Sequence, residues 1–179
     1  MFLLVVGIAL WWVGHFLKRA APGMRSSVGG RPGVSAIIGL GLVLVIIGFA
    51  MSPMIPVWFP GSVLIHINNL LMLIAFYVFG IGMAKGRHAQ KIRHPMLTGV
   101  AIWAVAHLLA NGDLASMLLF GSMLVWSVVE MIVINRAEPV WTKPTVVRPN
   151  GDLKGFAIAA VLFTVVAGIH VLAGLAPFG

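Results

Sequence analysis

Imidazole is both a metal ligand and a proton carrier near neutral pH, and this chain has six histidines, four acids and no cysteine. Metal or acid–base chemistry therefore falls to histidine first, and thiolate sites, disulfides and cysteine nucleophiles are excluded. Two histidines sit in one stretch, from Arg93-His94-Pro95 on to His107 and the turn Asn111-Gly112-Asp113. His94 and His107 are 13 residues apart. That is about 20 Å along a helix axis and nearly opposite faces, so they cannot share one metal. Over the whole chain the histidines form two tiers. His15 and His94 lie near one end of the apolar segments, His66, His107 and His170 near the other, and His88 falls in a loop, where it is solvated. Histidines at one depth on different helices are what a haem or a metal clamped inside a bundle requires, and His66, His107 and His170 meet that condition. The alternative for each is a hydrogen bond to a neighbouring helix, the polar glue of membrane bundles.

Other polar groups surround these. Asn69 follows His66 by three residues on a similar face, with Asn68 beside it; such amides orient a ligand imidazole or bond across helices. Glu130 is the one acid inside an apolar segment, and a carboxylate there has to pair or line a wet cavity. His15 and His94 are at its depth, and Arg136 is within reach of a snorkelling side chain. Trp103 precedes His107 by four residues and Trp11 precedes His15 by four, so these rings either wall a planar cofactor or pack as ordinary membrane aromatics. Arg93-His94-Pro95 sets a proline at the first position of a helix, where its missing N–H costs nothing. The free amides there, beside Arg93, His94 and Lys91, make an anion site for a propionate, a phosphate or a lipid headgroup. In the Asn111-Gly112-Asp113 turn, Gly112 suits a left-handed helix end and Asp113 a helix N-cap. Capping and a direct functional role both remain open for Asp113.

These groups must be held by membrane helices. The chain is 60% apolar and only 9% charged, against roughly 25% charged residues in a soluble domain. Six segments, 2–17, 34–51, 62–84, 95–110, 114–134 and 155–176, are apolar enough to span. A crossing takes about 20 residues, with roughly 17 tolerated, so the first and fourth should extend into their flanks. The expected fold is all-α, a polytopic integral membrane helix bundle with about six transmembrane helices. With 179 residues there is no room for a second module. The connection 52–61 carries three prolines and cannot be helical, and the longest one, 135–154, is an irregular segment suited to the bilayer surface.

All twelve Lys and Arg residues fall in the first, third and fifth connections, and none in the second, the fourth or at either end. The positive-inside rule then puts the basic loops in the cytoplasm and both termini outside. The net charge of +8 is thus a topology signal and a contact with anionic lipids, not a nucleic-acid surface. No basic region or small-residue cleavage site accompanies the first segment, which reads as a retained helix.

No Walker sequence, zinc-protease motif or nucleophile elbow is present. The blocks Arg93-His94-Pro95-Met96-Leu97-Thr98-Gly99 and Ala106 to Gly121 (AHLLANGDLASMLLFG), together with Asn69 to Phe76 and Leu10-Trp11-Trp12-Val13-Gly14-His15 with Arg25, resemble the NnrU family of bacterial membrane proteins. The resemblance runs over residues 7–136 and leaves out the sixth segment with His170. It implies a single NnrU-like transmembrane domain over 1–179 in the bacterial inner membrane, with both termini periplasmic. It also implies a link to denitrification, in nitrite and nitric oxide metabolism.

The plant and cyanobacterial zeta-carotene isomerases are similar to this family. They are haem b membrane enzymes that isomerise a cis double bond of a polyene without net redox change. In them the histidine that matches His107 is a haem ligand, and a first-helix histidine matches His15. Carried over, the resemblance implies haem b with His107 as first ligand and His15 as partner, whereas depth prefers His66 or His170. The ligand at the iron would be an apolar polyene or a small gas. The alternative is a non-catalytic accessory factor, with a membrane reductase or a second copy of the chain as its protein partner. Isoprenylcysteine-type membrane methyltransferases have a similar RHPxYxG segment, but Leu97 stands at the Tyr position and their later paired-glutamate block is absent.

Overall fold

The structure is a computed structural model that describes residues 1–143, 145 and 147–178. Among these residues seven α-helices follow in order: α1 Phe2–Ala20, α2 Pro22–Ser27, α3 Gly30–Ala50, α4 Ser62–Ala84, α5 Pro95–Ala110, α6 Leu114–Ala137 and α7 Gly151–Leu172. A single 3-10 turn, His88–Gln90, lies between α4 and α5. Among the described residues the one extended pairing is an isolated bridge between Pro56 and Asp113. The protein is an all-α, multi-pass membrane bundle. Five of the helices, α1, α3, α4, α6 and α7, are long and apolar enough to cross a bilayer. The sixth apolar helix, α5, has 16 residues, about 24 Å of rise against a hydrocarbon core of about 30 Å.

The two short segments behave differently. The first does extend, to Ala20, with Lys18 and Arg19 in its last turn, where cations suit the helix dipole. The fourth does not. Pro95 keeps His94 out of the helical region, at φ −124 and ψ 62, and Asn111 leaves it in an extended conformation at the other end. The last helix begins four residues earlier than its apolar run, at Gly151, because Asn150 turns the chain through a left-handed conformation at φ 57. It accordingly ends at Leu172, and residues 173–178 fold back as a tail.

The long helices and α5 pack in the order α3, α1, α6, α5, α4, α7, with α3 also touching α6 and the short α2 lying against α1 and α3. Of the five long helices, the two at the ends of that order, α3 and α7, bury the smallest share. Between membrane helices the apolar solvent gives little drive for association, so close van der Waals fit has to supply it. Glycine makes that fit possible. A Cβ on Gly48 of α3 would lie 2.2 Å from the backbone nitrogen of Leu4, and one on Gly80 of α4 would lie 2.5 Å from the carbonyl oxygen of Gly155. The interior joins Leu4 of α1 and Ala104 of α5 to Phe120, Met123 and Trp126 of α6.

The alternation of helices gathers all the basic connections at one end of the bundle, the basic end. The Pro-rich connection, the α5–α6 turn and both termini lie at the other. There the Pro-rich connection wraps the turn: Val57 and Trp58 N–H groups donate to Gly112 O at 2.7 and 3.0 Å, and Leu114 N–H donates to Ile55 O at 2.9 Å. Gly112 does not adopt the left-handed conformation expected of it. It is small because a Cβ would sit 1.9 Å from the carbonyl oxygen of Trp58. Asp113 is the N-cap of α6, its carboxylate accepting from Ser116 N–H at 3.0 Å.

Candidate functional site

A cavity of about 420 Å³ opens in the half of the bundle opposite the basic end, within the roughly 300–1,000 Å³ common to small-molecule sites. It lies between α4, α5, α6 and α7, with Phe49 of α3 at its edge and the tail residues Leu175 to Phe178 over it. Two histidines line it, His107 of α5 and His170 of α7.

Both are prepared in the same way. The Nδ1 of His107 lies 3.2 Å from Trp103 O, and that of His170 lies 2.8 Å from Val166 O, each one turn back on its own helix. A carbonyl oxygen only accepts, so Nδ1 carries the proton in both rings. Nε2 is then the nitrogen with the lone pair, and it has no protein partner among the described residues. This is the tautomer in which metal-binding histidines are held. The His107 ring rests against Phe120 at 4.5 Å and Trp103 at 5.2 Å between centroids.

Amides complete the polar side. Asn111 Nδ2 donates to His107 O at 2.8 Å. Asn68 is buried, with one end of its amide 3.0 Å from Ala106 O on α5 and the other 3.0 Å from Asn69 Oδ1. Asn69 Nδ2 donates to Phe178 O at 3.0 Å and so ties down the tail. The rest of the wall is largely apolar, with Met72 and Phe76 on α4 facing Phe163 and Val166 on α7. The tail was not legible as part of a site, because its apolar residues read as the end of a span.

The remaining histidines are elsewhere. His66 is exposed. The inner face of α4 is fixed by Asn68, Ala75, Val78 and Ile81, and two residues turn a helix by about 200°, which sends His66 outward. Asn68 and Asn69 therefore serve α5 and the tail, not His66. His15 packs between Trp11 and Trp126, at 4.4 and 4.8 Å. Trp126 lies six residues beyond Phe120 on α6, so His15 is about 9 Å deeper than His107 along that axis. His94 Nε2 lies 2.8 Å from Asn135 Oδ1, and His88, in the α4–α5 connection, meets Tyr77 of α4 and Asp152 of α7. Arg93 is at the basic end, remote from His107, with its guanidinium donating to Glu138 O and to Pro139 O.

Glu130 takes none of the partners expected for it. Neither His15, His94 nor Arg136 reaches it; Arg19 does, at 3.4 Å to Oε1, and the same guanidinium reaches Glu138 Oε1 at 3.3 Å. Helix α1 carries Arg19 one turn beyond His15, which brings it level with Glu130. The other carboxylate oxygen of Glu130 and the indole nitrogens of Trp11 and Trp126 are buried without partners among the described residues.

Among the described residues no three His, Asp or Glu side chains gather as a ligand set. A pair of imidazoles on one cavity suits a different kind of guest, a macrocycle that brings its own four nitrogens and takes only axial ligands from the protein. No curated protein and no solved structure is similar enough to the chain to be matched with it. The description "NnrU protein" matches residues 3–177, which adds α7 and His170 to the stretch that the sequence blocks alone covered, and the chain belongs to the NnrU family.

Proposed function

We propose that this protein binds haem b, which His107 and His170 would hold. The observation that carries this reading is the shared cavity. Two helices bring histidines to one apolar space, and each ring commits its Nδ1–H to its own backbone. Phe76, Phe120 and Phe163 provide flat apolar walls, and Asn69 and Asn111 provide polar contacts. Haem b, when bound, supplies a one-electron or Lewis-acid centre. The chain's own part is to hold the two imidazoles in one tautomer, to keep the cavity dry and to restrict approach.

The NnrU resemblance connects such a protein with nitrite and nitric oxide metabolism in the bacterial inner membrane, where a small gas would be the ligand. A second reading, cis–trans isomerisation of a carotenoid-like polyene, is favoured by Met72, Phe76, Phe163 and Val166, which offer an apolar surface between α4 and α7. An accessory role beside a membrane reductase would need no such cavity.

The test is an absorption spectrum of the detergent-purified protein from haem-replete cells. The parent should show a Soret band, and His107→Ala and His170→Ala should each weaken or shift it. A colourless parent, or a spectrum indifferent to both changes, overturns the proposal. Nitric oxide and a cis-polyene, each added to the reduced protein, then separate the two settings: a shifted spectrum with the gas favours the first, a trans product the second.

A further inference from the structure

At the basic end a second cavity, again of about 420 Å³, lies where α4 ends and α5 begins. Lys85 and Arg93 line it, with Ala89, Ile92 and Pro95 as its apolar floor and Trp141 at its side. An account of every acid in the chain gives these two cations their meaning. The four acids are Asp113, Glu130, Glu138 and Asp152. Asp113 caps α6 at the opposite end, Glu130 and Glu138 both pair with Arg19, and Asp152 takes His88. Among the described residues no carboxylate is left for Lys85 or Arg93.

Arg93 is also fixed in place. Two backbone carbonyls, of Glu138 and Pro139, hold its guanidinium, which leaves its charge unneutralised and other donors free. Lys85 is held in a left-handed conformation, φ 54, at the end of α4, a position that glycine would fill with less strain. A third cation, Lys143 Nζ, sits 5.8 Å from the Trp141 ring. Beside the cavity, Met83 and Met96 are half exposed on the outer faces of α4 and α5. The charge rule places this end at the cytoplasmic surface of the bilayer. Two unpaired cations, a tryptophan beside them and two exposed methionines on the adjoining helices match one kind of occupant, an acidic headgroup with hydrocarbon chains attached.

We propose that this cavity seats the phosphate of an anionic phospholipid between Lys85 and Arg93, with its acyl chains along Met83 and Met96. The site is independent of the haem reading, since it lies at the other end of the bundle. It would fasten the α4–α5 connection to the inner leaflet.

Native mass spectrometry of the full chain tests it, from micelles containing either phosphatidylglycerol or phosphatidylcholine. The parent should retain phosphatidylglycerol in preference. Lys85→Gly removes a cation while relieving the backbone, so a merely structural lysine predicts equal or better thermal stability and unchanged lipid. The proposal predicts that stability and a loss of about five-fold in retained phosphatidylglycerol, as for one cation at an anionic surface. Arg93→Gln should lose a similar amount, and Arg31→Gln, an exposed cation at the same end, should lose none. Equal retention of the two lipids, an unaffected Lys85→Gly, or an equal loss in Arg31→Gln overturns the site. Displacement of the lipid by millimolar inorganic phosphate reassigns it to the free ion and overturns the headgroup.

Discussion

His107 and His170 line the same cavity from two helices that both pack on α4, and each ring bonds through Nδ1 to the carbonyl one turn before it. The local bond and the long-range meeting have separate causes. The first follows from helix geometry, since a ring at position i reaches back over the turn that precedes it. The second depends on Gly80 and Gly155, which let α7 approach α4 closely enough to bring His170 over the cavity.

The histidines outside the cavity make the sharper test of this arrangement. His66→Ala should leave haem content unchanged, because that ring faces outward. His15→Ala should also leave it unchanged while lowering stability by about 1 kcal/mol through the lost contacts with Trp11 and Trp126. Haem per protein and thermal unfolding in one detergent measure both. Loss of haem in His15→Ala with His170→Ala intact would return the ligand role to the first helix.

Arg19 and Glu130 give a prediction about stability alone. Removing the guanidinium strands a carboxylate whose other oxygen already lacks a partner. Arg19→Ala should therefore cost about 3 kcal/mol, the low edge for a broken buried pair, because the Arg19 side chain keeps 20% of its exposure. Glu130→Gln should cost less, about 1 kcal/mol. The double variant Arg19→Ala with Glu130→Leu should recover much of the loss in a thermal melt. A double variant no better than Arg19→Ala would mean that the pair does not carry the effect.

How much of this was legible in the sequence varies by kind of information. The membrane helices follow from apolar length and were readable, except where a polar start such as Gly30 to Gly33 or Gly151 to Lys154 hides a first turn. The short α2, which has no apolar run, was not. Depth was readable too, and it put His107 and His170 together. Rotation about the helix axis was not. His66 shares their depth, yet Asn68 two residues later takes the inner face of α4. Pairings across helices were beyond reach for the same reason: nothing local to Glu130 says that Arg19, 111 residues away, lies beside it. Gly112 looked like a turn glycine because its neighbours are turn residues, whereas the atom that demands it, Trp58 O, comes from another connection.

The glycines at helix contacts should be intolerant in proportion to what they face. A methyl group on Gly48 meets the backbone of Leu3 and Leu4 at 2.2 to 2.7 Å, and backbone cannot turn aside. Gly48→Ala should separate α3 from α1 and cost about 1–3 kcal/mol. Gly121 has nothing within 4 Å of such a methyl, so Gly121→Ala should be neutral or slightly stabilising in a helix interior. Paired melts read the contrast, and equal effects would contradict the close α1–α3 approach.

Asp113 lines the cavity and also caps α6, and the two roles predict different rescue patterns. As a cap, its loss frees the Ser116 N–H, so Asp113→Ala should cost about 1 kcal/mol. Asp113→Ser or Asp113→Asn should restore it, since either side chain supplies an accepting oxygen at the same place. Charge is what those replacements lack, so a role in handling protons or cations would not be rescued by them. Stability and haem content measured together decide the matter. Full recovery of both in Asp113→Asn assigns the residue to the cap, while restored stability with altered ligand chemistry assigns it to the cavity as well.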